Sequence, residues 1–294
     1  MTSDQDLFRD IMLSDLASFA QRSMLETTPG LKVQWSWHLD LVCDHLALFA
    51  EGKINRLLVC VPPRSFKSSL CSVVFPAWLL ARDPSINVLC CSYGQDLADD
   101  FGRQCRQLIE TPFYQSTFQT RLSPDRRAAQ QFETTEGGGR IATSRSAAVT
   151  GRGGEFVILD DIMKPEEAQS ETARLGVMNG MRETLISRSN NKADVRMLLV
   201  MQRLHEEDPA GHILAQGGWE TVILPALAID DEEHRYTVAR RPRVKYRPAG
   251  QPLHLLLREG DKARSLRPNR VWNTTIQVST RKKDITWNVR STLA

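Results

Sequence analysis

The sequence predicts an α/β fold, a mostly parallel sheet flanked by helices, with a small β-hairpin insertion and an irregular basic C-terminal tail. Three observations carry that prediction. Short apolar runs bounded by proline, glycine or charged residues recur at RLLVC, INVLCCSY, FVILDD and VRMLLVM. Segments of helical period lie between them, and a strand–helix–strand order implies parallel pairing, because each crossover must return along the sheet. Polar residues follow several of the runs, at the strand ends where open parallel sheets bind ligands.

LFRDIMLSDLASFAQ and WHLDLVCDHLALFAEG place apolar residues three and four apart and predict two amphipathic helices, the second stopping at Gly52. INRLLVCV, closed by Pro62 and Pro63, reads as a buried strand, and SSLCSVVFPAWLLARDP as a helix kinked by Pro76. INVLCCSY is a second strand and QDLADDFGRQCRQLIE the helix after it. FETTEGGGRI turns on three glycines and predicts a hairpin outside the main sheet. GGEFVILDD is a third strand, ending on two carboxylates. A charged helix opened by Pro165 leads to the fourth strand, DVRMLLVMQR, and DPAGHILAQGG and WETVILPA add a short helix and a fifth strand. These divide the chain into a helical N-terminal segment (1–50), a central α/β domain (51–230) and a basic tail (231–294).

At 294 residues and 41% hydrophobic content the chain can bury a sizeable core. No apolar run approaches the roughly 20 residues of a spanning helix, and the acidic MTSDQDLFRD is unlike a secretory signal, so a cytoplasmic location without membrane contact is expected. The six cysteines show no C-x-x-C spacing and read as buried thiols. Charge is uneven. Residues 1–234 carry 23 Lys and Arg against 32 Asp and Glu, and residues 235–294 carry 15 against 3. Such a tail could neutralise nucleic-acid phosphates, or be a disordered or non-native extension.

The chemistry gathers at strand ends. Lys67 and Ser68 follow the first strand, Asp160 and Asp161 end the third, and Gln202 and Arg203 end the fourth. In phosphoryl transfer, catalysis is mainly positioning and charge neutralisation. Lys67 suits the β- and γ-phosphates, the Ser68 hydroxyl suits Mg²⁺, and the helix starting there offers unpaired N–H groups. Asp160 suits the metal through water, Asp161 a general base for the attacking water, and Gln202 and Arg203 a γ-phosphate sensor. Each signal alone also fits an ordinary helix start, polar turn or loop. Their order favours nucleotide hydrolysis, with the acidic end about 90 residues after the loop and the polar end about 40 further on.

VPPRSFKSS, CSYGQDLADDF, TGRGGEFVILDDIMKP and VMQRLHEEDPAGHIL resemble, in order and spacing, the motor domain of the large terminase subunit of tailed bacteriophages, from about residue 30 to about residue 226. The resemblance implies a P-loop NTPase fold of the ASCE type using ATP and Mg²⁺. It implies that Pro63, Arg64, Ser65, Phe66, Lys67, Ser68 and Ser69 form the nucleotide loop, in the family's P-P-R-x-x-K-S form, where glycine before the lysine is not obligatory. Phe66 still departs from the glycine-bearing version, and its Cβ restricts the backbone. Arg64 is implied as an arginine finger in cis, Asp160 as the metal residue, and Asp161 in the catalytic place often held by Glu. VMQR, with Gln202 and Arg203, is implied as the segment coupling hydrolysis to movement. In QWSWH, Gln34 is implied to bond the base, while Trp37 either stacks on it or packs in the interior. Arg145 and Arg152 fit contact with DNA or a neighbouring subunit, or a solvated loop.

The implied partners are double-stranded phage DNA, the small terminase subunit, the portal protein and further copies in a ring. The family's second domain, a nuclease, needs converging carboxylates. Beyond residue 234 only Glu259, Asp261 and Asp284 are acidic, so the expectation is a truncated or frame-shifted end without nuclease activity. Two other readings remain: a nonenzymatic prophage remnant binding DNA or protein through its tail, and a helicase-like nucleic-acid-dependent ATPase.

Overall fold

The computed structural model describes residues 3–27, 34–145, 154–187 and 195–253, together with the backbone of 274–281 and 284–291. Three helices open the chain: α1 (Asp4–Ser14), α2 (Leu16–Thr27) and α3 (Trp37–Ala50). Where the apolar period predicts one helix before α3, the structure has two. Asp15 leaves helical geometry, and its carboxylate accepts from the Ser18 N–H at 2.9 Å and from the Ser18 hydroxyl, an N-cap that restarts the chain as α2.

The strands β1 (Arg56–Cys60), β2 (Asn87–Ser92), β3 (Leu122–Arg127), β4 (Gln131–Thr134), β5 (Gly139–Ser144), β6 (Phe156–Asp160), β7 (Arg196–Met201) and β8 (Glu220–Ile223) form one sheet in the order β3-β4-β5-β2-β6-β7-β1-β8. From β5 to β8 every pairing is parallel. The strand order is the one expected of an ASCE-type sheet, with β7 inserted between the strand that feeds the lysine loop and the strand that ends in carboxylates. The hairpin predicted outside the main sheet instead extends its edge. β4 pairs antiparallel with β5, while β5 pairs in register with β2 from Asn87↔Gly139 to Ser92↔Ser144. The Gly-rich turn fixes the hairpin locally, but only packing decides which strand it joins.

Strand alternation sends each apolar run to both faces. Leu57, Val59, Val88, Cys90, Ile158, Leu198 and Val200 face a core shared with α1, α2, α3, α4 (Phe75–Arg82) and α5 (Gln95–Glu110). Leu58, Cys60, Leu89, Val157, Leu159, Leu199 and Met201 face α7 (Glu171–Ser187) and α8 (Pro209–Gln216). A short α6 (Pro112–Thr117), capped by the Thr111 hydroxyl, was not predicted, although Thr-Pro is a helix-start signal. All six cysteines are buried free thiols.

Pro76 does not produce a simple kink. Residues Ser69–Val74 form a π-helical turn that runs into α4, and the Phe75 N–H donates to the Leu70 carbonyl, five residues back. Proline at 76 cannot donate to the carbonyl of residue 72 and would crowd it, and widening the turn accommodates the ring. The Ser72 carbonyl instead accepts from the buried Arg140 guanidinium at 3.1 Å.

Part of the stretch expected to be irregular is regular. β9 (Glu232–Val238) and β10 (Arg241–Arg247) form a hairpin, and β11 (Thr274–Arg281) pairs with β12 (Asp284–Ser291). The first hairpin sits against α3: Trp37 lies 5.1 Å from the His234 ring, and its indole N–H donates to the Leu253 carbonyl at 3.2 Å. The Arg247 side chain is wholly buried, ion-paired to Glu232 and donating to the carbonyls of Pro225, Ala226 and Gln251. No helix among the described residues is long and apolar enough to cross a membrane.

Candidate active site

Parallel pairing in register brings the carboxyl ends of β1, β6 and β7 to one edge, with Cys60 opposite Met201 and Asp160 opposite Val200. The loop after β1 begins at Val61, whose N–H donates to the Met201 carbonyl at 3.3 Å, and Asp161 N–H donates to the Val200 carbonyl at 2.9 Å. Three chain segments far apart in sequence therefore meet at one crevice.

The loop itself is tightly turned. Arg64 and Phe66 have φ of +63° and +60°, the left-handed region that favours glycine, and the buried Ser65 hydroxyl donates to the Pro62 carbonyl at 2.6 Å. Phe66 thus adopts a glycine conformation despite its Cβ. Its ring, packed against the larger core, offsets part of the strain. His38, on α3, places Nε2 3.4 Å from the Ser65 carbonyl oxygen and braces the loop from behind. Arg64 and Pro63 are exposed at the loop's tip, while Lys67 is buried at its base.

The Lys67 ammonium donates to Asp161 Oδ2, and Asp161 Oδ1 accepts from the Gln202 backbone N–H at 3.3 Å. Asp161 is itself in the left-handed region, at φ +46°. Asp160 is 1% exposed, with one oxygen accepting from the Ser68 hydroxyl at 3.1 Å and the other from the Ser72 hydroxyl at 2.7 Å. Burial pushes its carboxyl up to about 6, and the adjoining Asp161 adds to the rise, while Lys67 and the two serines oppose it. Such a carboxylate is poised to gain from a cation. The donor set of Ser68 hydroxyl and Asp160 carboxylate is all oxygen, which suits Mg²⁺, a hard ion that keeps waters and phosphate oxygens rather than a full protein cage. Among the described residues, no group of three or more His, Cys, Asp or Glu side chains forms a metal cage.

Lys67, Ser68, Asp160, Asp161 and the Gln202 backbone therefore converge as expected from the strand ends. Others do not join them. The Arg203 guanidinium is committed to the buried Asp208 at 3.1 Å and to the carbonyls of His205 and Glu206. Gln34 is exposed, and Trp37 packs against the β9–β10 hairpin, the interior alternative. Ser69 belongs to the π turn. Arg145 forms a two-pronged pair with Glu167, at 3.1 and 2.5 Å, and reaches the Ile162 carbonyl, clamping the segment after Asp161; Arg152 lies outside the described residues. Two functional candidates were missed. Ser72 sits four residues after Ser68, one helical turn along the same face, a spacing that could have revealed it. Arg140, the one charged residue of β5, is the other.

No family model and no curated protein matches the chain. Solved structures of similar fold include the HK97 bacteriophage large terminase, at 11% identity and a TM-score of 0.49, covering 74% of this chain and 44% of that one. Dbp5 of S. cerevisiae, as a variant bound to Gle1 and IP6, is 11% identical at a TM-score of 0.44, covering 69% and 50%. A DEAD box protein from Methanococcus jannaschii is 10% identical at 0.38, covering 68% and 57%. The chain spans about half the length of each.

Proposed function

We propose that the chain hydrolyses ATP with Mg²⁺ and is the motor part of a terminase-type large subunit, using that hydrolysis to move double-stranded DNA into a procapsid in the host cytoplasm. The observation that carries the reading is the meeting of Lys67, Ser68, Asp160 and Asp161, from loops after two different strands, at one edge of the sheet. The quoted motifs, in terminase order, support the assignment to packaging.

Lys67 neutralises phosphate charge, and the start of the following helix offers N–H groups to the same oxygens. Ser68 and Asp160 would hold Mg²⁺, which when bound neutralises charge developing on the β- and γ-oxygens. Asp161 orients the attacking water and accepts its proton. Its carboxylate is held on one oxygen by Lys67 and on the other by the Gln202 N–H, so the end of β7 registers the state of the catalytic carboxylate. Arg64, exposed at the loop tip, would stabilise charge on the γ-phosphate. The partners of this reading are a small terminase subunit, a portal protein and further copies of the chain in a ring.

The test is ATP turnover by the purified chain with Mg²⁺, alone, with double-stranded DNA and with single-stranded RNA. Turnover stimulated by double-stranded DNA, and cut by at least about 10²-fold in Lys67→Ala, is expected. Stimulation by single-stranded RNA alone moves the chain to a helicase-like role. Absence of hydrolysis in the unaltered chain, matched by Lys67→Ala, refutes the enzyme and leaves a nonenzymatic binder.

A further inference from the structure

We propose that Ser72 and Arg140 are a positioning pair that fixes the orientation of Asp160, and that the π-helical turn after the loop serves to present Ser72 to it. The inference rests on the ATPase reading and concerns how its metal carboxylate is held. Asp160 is anchored in β6, but its side chain can rotate about χ1 and χ2. The Ser72 hydroxyl, donating at 2.7 Å, takes Oδ2 and leaves Oδ1 on the Ser68 side of the crevice, 3.1 Å from that hydroxyl. That is the side where Ser68 and Asp160 would share a cation.

Ser72 must itself be held, and its helix does not hold it in the usual way. The N–H that would normally bond its carbonyl belongs to position 76, and Pro76 has none. Arg140 supplies the missing donor from β5, at 3.1 Å. The guanidinium is 1% exposed and has no carboxylate partner among the described residues; besides the Ser72 carbonyl it meets only the Cys90 thiol, a weak partner, there. A side chain kept only for packing would be apolar, since a buried cation without a carboxylate partner is costly. Pro76, Ser72 and Arg140 thus make one device behind the acidic end of β6. Removing a group that orients a metal ligand from behind typically costs roughly 10–100-fold in metal affinity or activity.

The experiment titrates Mn²⁺ into the full chain with ATP by the loss of the free-ion electron paramagnetic resonance signal, alongside the Mg²⁺ dependence of turnover. Ser72→Ala should raise the half-saturating metal concentration about tenfold, with turnover recovering as Mg²⁺ is raised, while Ser72→Thr stays near the unaltered chain. Arg140→Met should shift the metal requirement in the same direction. Adding Pro76→Ala to it restores an N–H for the Ser72 carbonyl and should reverse the shift, a rescue that a packing role for Arg140 does not give. Ser72→Ala with the metal requirement of the unaltered chain overturns this inference alone. A shift in Arg140→Met that Pro76→Ala leaves in place overturns Arg140's part; if Arg140→Met does not fold, Ser72→Ala decides. An unaltered chain that binds no more Mn²⁺ with ATP than without it overturns the ATPase reading and this inference together.

Discussion

Phe66 occupies, before the lysine, the place where glycine-bearing loops have no Cβ, and it takes the glycine conformation, at φ +60°. The left-handed region costs an L-residue about 1–2 kcal/mol. Phe66→Gly and Phe66→Ala both lose the ring's packing, but only alanine keeps the strain. The glycine variant should be the more stable of the two by about 1 kcal/mol in urea unfolding, and equal stability would show that the loop does not impose this conformation. Asp160 gives a pH signature. Its carboxyl is raised from 3.8 to about 6 in the folded chain, chiefly by burial. Its contribution to stability is therefore fully present below about pH 4 and is lost as pH rises through about 6. In chelator, the unaltered chain should lose up to about 3 kcal/mol relative to Asp160→Asn between pH 4 and pH 7, and Mg²⁺ with ATP should narrow the gap at pH 7. Parallel profiles would contradict the burial of an ionisable group there. Lys67, Ser68, Asp160 and Asp161 were legible because each sits beside a strand end that the sequence marks. Ser72 and Arg140 were not, because their roles depend on a carbonyl freed by Pro76 and a partner on another strand.

Elements were legible where burial on both faces makes a strand a continuous apolar run, as in β1, β2, β6 and β7, and where period and capping agree, as in α5. Legibility failed where the pattern was continuous but the geometry was not. The apolar period runs on through Asp15, and only its cap shows the break between α1 and α2. The segment after β7 shows how a local reading can misplace a charge. Arg203 looks like a sensor at a strand end, yet its guanidinium, the Leu204 and His205 N–H groups and the Gly211 N–H all bond Asp208, the buried N-cap of α8. Removing that carboxylate leaves a half-buried guanidinium and three backbone donors without their acceptor. Asp208→Ala should therefore cost about 3–5 kcal/mol in chemical denaturation, measured alongside Arg203→Ala to separate cap from pair. A cost below about 1 kcal/mol would show that α8 does not depend on this cap.

At the scale of the molecule, the sheet does the assembling. The lysine loop, the acidic strand end and the Gln202 N–H come together because β1, β7 and β6 run side by side and parallel, although sequence separates the lysine from the carboxylates by about 90 residues. The β9–β10 hairpin was hidden by its charge. Its inward residues, Glu232, His234 and Tyr236, alternate with polar ones, and Arg247 is buried through an ion pair and carbonyls rather than through hydrophobicity. Its contact with Trp37 ties the start of α3 to the segment after β8. The most direct measurement is a crystal structure of the chain with Mg²⁺ and a nonhydrolysable ATP analogue. The metal is expected at about 2.1 Å from the Ser68 hydroxyl on the Oδ1 side of Asp160, with the β- and γ-phosphates against Lys67. Nucleotide bound elsewhere on the sheet, or a metal held away from both Ser68 and Asp160, would contradict that placement.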